Sequence, residues 1–174
     1  MGSSLFTNYD SSMRYLTIIA ILCCGLVACT SPVDREQAEA PTVTEEVSTA
    51  PIFYPSHEAR KADAPFSDVV QVGDLYFLSG QIGMDHSTRT MVEGGIEAET
   101  RQVLENIKAV LAQHDLEMGD VVKALVVLDD IEDFSAFNAI YREYLPQKPA
   151  RTTFAAEALA VGAKIEIEVI AVKK

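Results

Sequence analysis

The sequence predicts an α+β domain in which one sheet is covered on one face by two helices. Two apolar stripes with helical spacing, within residues 96–114 and 134–145, each require one covered face. Short strand-like runs precede, separate and follow these stripes, and the clearest is residues 164–170. Two helices beside a sheet of about six strands make a two-layer sandwich. The helices can cover only one sheet face, so we expect the other face to meet a partner surface.

The first strands are predicted to form a hairpin. Residues 69–72 and 75–79 are apolar runs separated by Gly73-Asp74, a dipeptide typical of tight turns. In this interpretation Ser79-Gly80 ends the second strand, and Gly80 lets a ligand approach the backbone closely. Residues 84–92 then form a loop, with a short strand around residues 90–92 as a further candidate. His86 is expected at the surface of this loop.

The helical part of the domain surrounds one buried strand. A first helix is predicted over residues 96–114, and the apolar run 121–128 predicts the strand. Acidic residues within 130–133 favour the first turn of a second helix, which ends at Pro146. Asn138 lies off the apolar stripe of this second helix.

The last quarter of the chain predicts two strands joined by a short connection that contains Gly162. The final strand alternates, with aliphatic residues on one face and two carboxylates on the other. The carboxylate face then turns apolar, which favours a cleft or a subunit boundary. Arg151, at the start of the neighbouring strand, supplies a cation whose planar fork suits a carboxylate. Solvated glutamates and a surface arginine are the alternative interpretation. The unusual face carries Glu166, Glu168, Ile170 and Val172.

Composition limits the class of partner. The chain has 174 residues, of which 48% are hydrophobic, enough for one domain with appendages. Its formal net charge is −12, and the basic residues form no cluster in the sequence. This charge disfavours nucleic-acid binding, which requires Lys and Arg to neutralise phosphates. It equally disfavours attachment to anionic lipids by charge.

Residues 1–28 are predicted to be a leader and signal peptide. Met13 resembles a natural start, and Arg14 precedes an apolar run over residues 16–27 that is too short to span a bilayer. Leu26-Val27-Ala28-Cys29 resembles a bacterial lipobox, in which the cysteine carries lipid and becomes the new N-terminus. An ordinary secretory signal or a short buried helix are the alternatives. Because Thr30 rather than Asp follows, we expect a lipid anchor in the outer membrane, facing the periplasm.

Residues 29–56 are predicted to be a disordered tether. This segment is rich in Pro, Thr, Ser and acidic residues and lacks hydrophobic periodicity. About 22 flexible residues span on the order of 25 Å by random-coil scaling. The folded domain is then expected to comprise residues 57–174.

Cysteine and histidine usage argues against a metal site. The three cysteines are Cys23, Cys24 and Cys29, so the predicted domain has no thiol for a disulfide, a nucleophile or a metal. No second histidine stands at ligand spacing from His86. We therefore expect no metal.

Three blocks, in order along residues 65–174, resemble the RidA (YjgF) family of small trimeric enamine/imine deaminases. The first combines Phe66-Ser67-Asp68 with Leu78-Ser79-Gly80-Gln81-Ile82-Gly83. The second is Gly94-Gly95-Ile96-Glu97-Ala98-Glu99-Thr100-Arg101-Gln102. The third begins at Arg151 and ends with the run IEIEVIAV over residues 165–172.

The resemblance implies a chorismate mutase-like fold and a homotrimer whose sheets form a central barrel. It places three sites in the clefts between subunits and requires no cofactor. The implied activity is that of a 2-iminobutanoate/2-iminopropanoate deaminase. Such an enzyme hydrolyses small 2-imino or 2-enamino acids to 2-keto acids and ammonia.

The resemblance also assigns roles to residues. Arg151 would grip the substrate carboxylate, and Glu166 would position the water and transfer its proton. Phe66 stands where many members have tyrosine, so a hydroxyl is lost and substrate preference is in doubt. Glu168 is expected to have a structural role. For Asn138, the alternative interpretation is an ordinary surface residue of the helix. The remaining residues expected to line the pocket are Ser79, Gly80, Asn138 and Thr153.

A second class of function competes with the enzyme. A non-catalytic trimeric module could bind small metabolites or hold unfolded clients, and a secreted location together with Phe66 favours it. The retained Arg151 and Glu166 favour the deaminase. A ribonuclease role, which is also attached to the family's name, conflicts with the acidic charge.

Overall fold

The computed structural model describes residues 50–58, 61 and 63–174. These belong to a compact unit, Thr44–Lys174. The predicted signal peptide, Cys29 and the tether up to residue 49 lie outside the described residues. Within those residues, every helix is too short or too polar to cross a bilayer.

The described domain is an α+β sandwich, as the sequence predicts. Its six-stranded mixed sheet has the order β1-β2-β3-β8-β6-β7, and β4 and β5 form a separate two-stranded ribbon. Short 3₁₀ turns connect the elements at Met118–Asp120, Ile131–Asp133 and Ala160–Gly162. The strands are β1 Ile52–Tyr54, β2 Val69–Val72, β3 Leu75–Ile82, β4 Met84–Asp85, β5 Thr90–Met91, β6 Val121–Leu128, β7 Ala150–Ala155 and β8 Ile165–Val172, and the helices are α1 Gly95–Ala112 and α2 Phe134–Tyr144.

The core lies between the helices and one face of the sheet. The alternation of β8 places Ile165, Ile167 and Val169 under the helices, where each is at most 2% exposed. Burial of such side chains is the main stabilising contribution. Glu166 and Glu168 therefore point to the opposite, open face, as expected. The helices contribute Val103, Leu104, Ile107, Val110, Leu111, Phe137 and Ile140.

The order of the last strands differs from the expectation that β7 lies beside β8. Strand β7 pairs in parallel with β6, and β8 pairs antiparallel with both β3 and β6. The reason is topological, because β6, α2 and β7 form a crossover that requires parallel neighbours. Strand β8 then returns into the centre of the sheet and leaves β7 at its edge.

The sheet begins earlier than the predicted domain boundary at residue 57. Ile52–Tyr54, within the predicted tether, forms edge strand β1 and pairs with β2. The Tyr54 hydroxyl donates to Gln71 Oε1 at 2.8 Å, and its ring lies 4.5 Å from that of His114. Three consecutive strand-favouring residues thus pair at the edge, although flanking prolines suggest a tether.

Candidate functional site

Five of the predicted site residues line two separate cavities. Glu166, Gly80 and Phe66 line a cleft of about 310 Å³, which we call the Glu166 cleft. Arg151 and Asn138 line a more open cavity of about 550 Å³ at the edge of the sheet, which we call the Arg151 cavity. A single chain therefore does not bring all of these residues together.

Glu166 lies directly against the backbone of Gly80. The two residues lie on the neighbouring strands β8 and β3, where Glu166 pairs with Ile82, and a Cβ at residue 80 would collide with Glu166 Oε1. Only glycine leaves room for the carboxylate at this point. Burial raises the pKa of Glu166 above its ordinary value, and the negative charge of Glu168 raises it further. A carboxyl group that binds a proton more readily is suited to acid–base chemistry.

Strand β3 does not end at Ser79-Gly80, as expected, but continues to Ile82. The pairing with β8 shifts register between Leu78 and Gln81, which places Gly80 in an irregularity of the strand. Such irregularities commonly redirect side chains beside sites. Here the shift leaves Gly80 exposed beside the Glu166 carboxylate.

Ser79 holds the mouth of the Glu166 cleft in place. Its hydroxyl donates to the Ser67 carbonyl at 2.7 Å, and its amide donates to the Asp68 carbonyl at 3.0 Å. These bonds position the segment that carries Phe66, whose ring is 52% exposed at the cleft. Ser79 thus shapes the cleft, while its hydroxyl proton already has an acceptor.

Arg151 is fixed by the second helix. Its Nη1 donates to Asn138 Oδ1 at 2.9 Å, so Asn138 contacts the predicted cation. The guanidinium lies 4.6 Å from the ring centroid of Tyr141, with the rings of Phe134 and Phe137 at 5.6 and 5.2 Å. Aromatic faces attract such a cation and restrict its motion. The remaining N–H donors of the fork can bind a carboxylate.

Two hydroxyl groups near Arg151 lack partners. Tyr141 Oη and Thr153 Oγ1 are buried, and neither has a hydrogen-bond partner within the described part of the chain. Burial raises the pKa of Tyr141, whereas the charge of Arg151 and the approach of its guanidinium to the hydroxyl lower it. Buried polar atoms are normally paired, so an unpaired hydroxyl beside an arginine indicates a ligand position. Tyr141 belongs to the apolar stripe predicted within residues 134–145. The spacing of that stripe indicates burial of the ring and does not reveal that the hydroxyl marks a ligand position.

Arg151 and Glu166 lie on opposite faces of the sheet. Arg151 pairs with Ala124, which pairs with Val169, and both partners are buried under the helices. Glu166 follows the fully buried Ile165, so its side chain points to the open face. The separation into two cavities is therefore a consequence of strand register.

The Glu166 cleft also contains basic side chains that the sequence pattern did not place in the site. Lys61, His86 and Arg89 line it together with Glu166. His86, expected at the surface, has a side chain only 24% exposed. Burial lowers its pKa, although the charge of Glu58 opposes this. These residues meet through contacts spanning about 30 positions, which local patterns do not reveal.

Chemically, the two cavities offer complementary groups. The Arg151 cavity presents an oriented guanidinium, which suits a small carboxylate. The Glu166 cleft presents a proton-accepting carboxyl group beside exposed backbone. If they faced each other across two subunits, they would hold an acid and activate a water at its neighbouring carbon.

Comparisons with known proteins identify the family of this chain. The family model described as Endoribonuclease L-PSP matches residues 56–173. A 2-iminobutanoate/2-iminopropanoate deaminase from Capra hircus is 41% identical over 117 residues, covering 67% of this chain and 85% of that protein. The crystal structure of the Escherichia coli YjgF gene product superposes with a TM-score of 0.64 at 32% identity, over 71% of this chain and 99% of that one. Escherichia coli TdcF with bound serine gives the same TM-score at 29% identity and the same coverage. The chain therefore belongs to the RidA (YjgF) family, the family described as Endoribonuclease L-PSP, some of whose members are named as 2-iminobutanoate/2-iminopropanoate deaminases.

Proposed function

We propose that the protein hydrolyses reactive 2-imino and 2-enamino acids to 2-keto acids and ammonia. The observation that carries this proposal is the pair of complementary half-sites, a preorganised Arg151 and a Glu166 with a raised pKa. The deaminase relatives support the same chemistry. The net charge of −12 makes RNA a poor substrate by comparison.

The proposed reaction needs few groups. Arg151 binds the substrate carboxylate through two N–H donors and orients the C=N bond. Glu166 removes a proton from water, the water oxygen bonds to the imine carbon, and the π electron pair moves to nitrogen. The nitrogen gains a second proton from the Glu166 carboxyl group. Glu166 next carries the proton of the new hydroxyl group to the nitrogen as its third proton. The C–N bond then breaks, ammonia leaves with the electron pair of that bond, and the oxygen forms the C=O bond of the keto acid.

The same proposal includes a homotrimer with sites between subunits. The open sheet face carries Phe77, Leu75 and Phe154, which are 39, 39 and 46% exposed in a single chain. Monomers rarely expose contiguous apolar faces, so a second copy is the occupant we propose. Light scattering on a protein lacking residues 1–49 tests this. A stable monomer at micromolar concentration contradicts the trimer.

Ammonia release tests the activity directly. Imino acids are generated by an amino-acid oxidase, and ammonia and keto acid are followed with and without the protein. We expect acceleration over the spontaneous rate, and Arg151→Ala should raise KM strongly because it removes the carboxylate grip. If the wild-type protein does not exceed the spontaneous rate, the deaminase proposal fails.

A binding module is the second candidate, and Phe66 is the observation that favours it. The exposed Phe66 ring lines the Glu166 cleft without the hydroxyl that many family members have there. A cleft that binds but does not turn over needs no such hydroxyl. Phe66→Tyr discriminates between the candidates, because restoring the hydroxyl should improve imine hydrolysis only in a cleft suited to imines.

We further propose that Cys29 carries lipid and that the tether holds the domain off the outer membrane, facing the periplasm. The lipobox-like Leu26-Val27-Ala28-Cys29 and the acidic, Pro-rich segment after it support this. Several acyl chains anchor firmly where one does not, and a trimer would add avidity. Labelling with a radioactive fatty acid should mark the wild type and spare Cys29→Ala. A wild type that takes no label and partitions as soluble protein contradicts the anchor.

A further inference from the structure

The Glu166 cleft has a basic rim in an otherwise acidic protein. The charged side chains that line it are Lys61, His86 and Arg89, together with Glu166 itself. The net charge of the chain is −12, so a cavity with two permanent cations differs from the average surface. A volume of about 310 Å³ lies at the small end of ligand pockets.

One carboxylate outside the cavity lining holds this rim together. Glu58 lies 2.8 Å from Lys61 Nζ, 3.2 Å from His86 Nδ1 and 3.1 Å from Arg89 Nη1. Burial raises the pKa of Glu58, but the hydrogen bond from Lys61 and the charges of its neighbours bring it below its ordinary value. Asp68 adds a weaker contact, 3.9 Å from Lys61 and 3.8 Å from His57.

The rim retains donors for a ligand. Arg89 uses Nη1 on Glu58, and a guanidinium carries five N–H donors in a fixed fork. Lys61 likewise has three donors, and its side chain is only 16% exposed. Electrostatic contacts strengthen as water is excluded, so these partly buried cations can hold an anion more firmly than surface ones.

Arg89 occupies an unfavourable backbone position. Its φ is 62°, in the left-handed region that glycine adopts at little cost. The Arg89 amide donates to the Asp85 carbonyl at 2.7 Å, which closes a turn and directs His86 and Arg89 to the same cleft. A long cationic side chain at such a position is consistent with a function for the guanidinium.

We propose that Lys61, His86 and Arg89 form a subsite for a carboxylate on the side chain of the substrate. The preferred substrates are then imino acids derived from dicarboxylic amino acids. This inference rests on the proposed function, in which Arg151 of a neighbouring subunit binds the carboxylate next to the imine. The reacting carbon lies at Glu166, and the side-chain carboxylate reaches the rim within the same cleft.

The kinetic test compares imines made by oxidases from aspartate or glutamate with those made from alanine or 2-aminobutyrate. We expect the full-length wild type to favour the dicarboxylic imines in kcat/KM. Arg89→Gly should lower kcat/KM for the dicarboxylic imines about tenfold or more relative to the monocarboxylic imines, the size expected for one charged hydrogen bond. Glycine suits φ 62°, so this variant retains the fold. Arg89→Lys should restore part of the preference.

Lys108→Met is the matched control, because it removes a cation from the exposed face of α1, in a pair with Glu105. It should leave the substrate preference unchanged. The subsite is contradicted if the wild type has equal kcat/KM for both substrate classes, or if Arg89→Gly loses kcat/KM equally for both. The basic rim would then be only an ion-pair network.

A binding measurement separates this inference from the proposed function. Calorimetric titration compares 2-oxoglutarate with 2-oxobutanoate, which need no turnover. Tighter binding of 2-oxoglutarate that Arg89→Gly abolishes supports the subsite even in a protein that hydrolyses no imine. Imine hydrolysis without any preference for 2-oxoglutarate contradicts the subsite and leaves the deaminase intact.

Discussion

Arg151 and Glu166 project from opposite faces of one sheet, Arg151 against the aromatic rings of α2 and Glu166 against the backbone of Gly80. Each residue lines its own cavity. A small substrate cannot contact both within one chain, because the sheet itself lies between them. The two residues can share a substrate only if two subunits meet, which would give the proposed trimer a catalytic role.

The first prediction distinguishes the two carboxylates of β8. Glu166→Gln keeps the size of the side chain but removes the base, so kcat should fall roughly 10²–10⁴-fold, the range for general acid–base catalysis. Glu168→Gln is the control on the same face and should retain most of the activity at mildly alkaline pH. Steady-state kinetics on a monocarboxylic imine measures both. A fully active Glu166→Gln together with an inactive Glu168→Gln would show that the base is Glu168 and not Glu166.

The second prediction concerns pH. A base works only when ionised, and burial together with the charge of Glu168 raises the pKa of Glu166. As the pH falls, the rate should therefore begin to decline at a higher pH than it would with a glutamate of ordinary pKa. Glu168→Gln removes one of the two raising influences, so its acid limb should move to lower pH. A pH–rate profile of kcat/KM that is identical in wild type and Glu168→Gln contradicts this coupling.

The third prediction tests the contact with Gly80. In Gly80→Ala the new methyl group would lie 2.9 Å from Glu166 Cδ, so the carboxylate must move. A displacement of about 1 Å can cost about 10²-fold in rate. Gly119→Ala is the control, because its nearest neighbour is 3.9 Å away. We expect circular dichroism to show both variants folded and only Gly80→Ala to lose activity, and an active Gly80→Ala refutes the contact.

The fourth prediction concerns the unpaired hydroxyl of Tyr141. Tyr141→Phe removes a buried group without a partner, so the free energy of unfolding should stay constant or rise. If this hydroxyl donates to the carboxylate held by Arg151, KM should rise about 2- to 10-fold, the range for one neutral hydrogen bond. Tyr144→Phe is the control, since its hydroxyl donates to exposed Glu105 at 2.9 Å. A loss of stability with unchanged KM points to a structural role.

Local sequence patterns anticipated much of the domain for a clear physical reason. Alternation in β8 fixes which residues enter the core, and it correctly places Glu166 on the open face. The apolar stripes likewise locate α1 and α2. Such patterns record which face of an element is buried, because burial acts on each residue individually.

Those local patterns could not predict the strand order or the contacts between distant segments. The insertion of β8 between β3 and β6 separates Arg151 from the strand expected beside it. The pairing of β1 depends on an edge partner more than ten residues away. Likewise, the ion pairs of Glu58 join segments that have no common periodicity. All of these depend on tertiary pairing, on which a local spacing carries no information.

Subunit mixing tests the central claim most directly. Arg151→Ala and Glu166→Gln proteins are dissociated together in equal amounts and reassembled, and imine hydrolysis is measured at low substrate concentration. Random assembly should place an intact Arg151 opposite an intact Glu166 in about a quarter of the sites, because each site takes one half from each neighbour. We predict recovery of about that fraction of wild-type activity. Activity no greater than the average of the two separate variants would contradict a site shared between subunits.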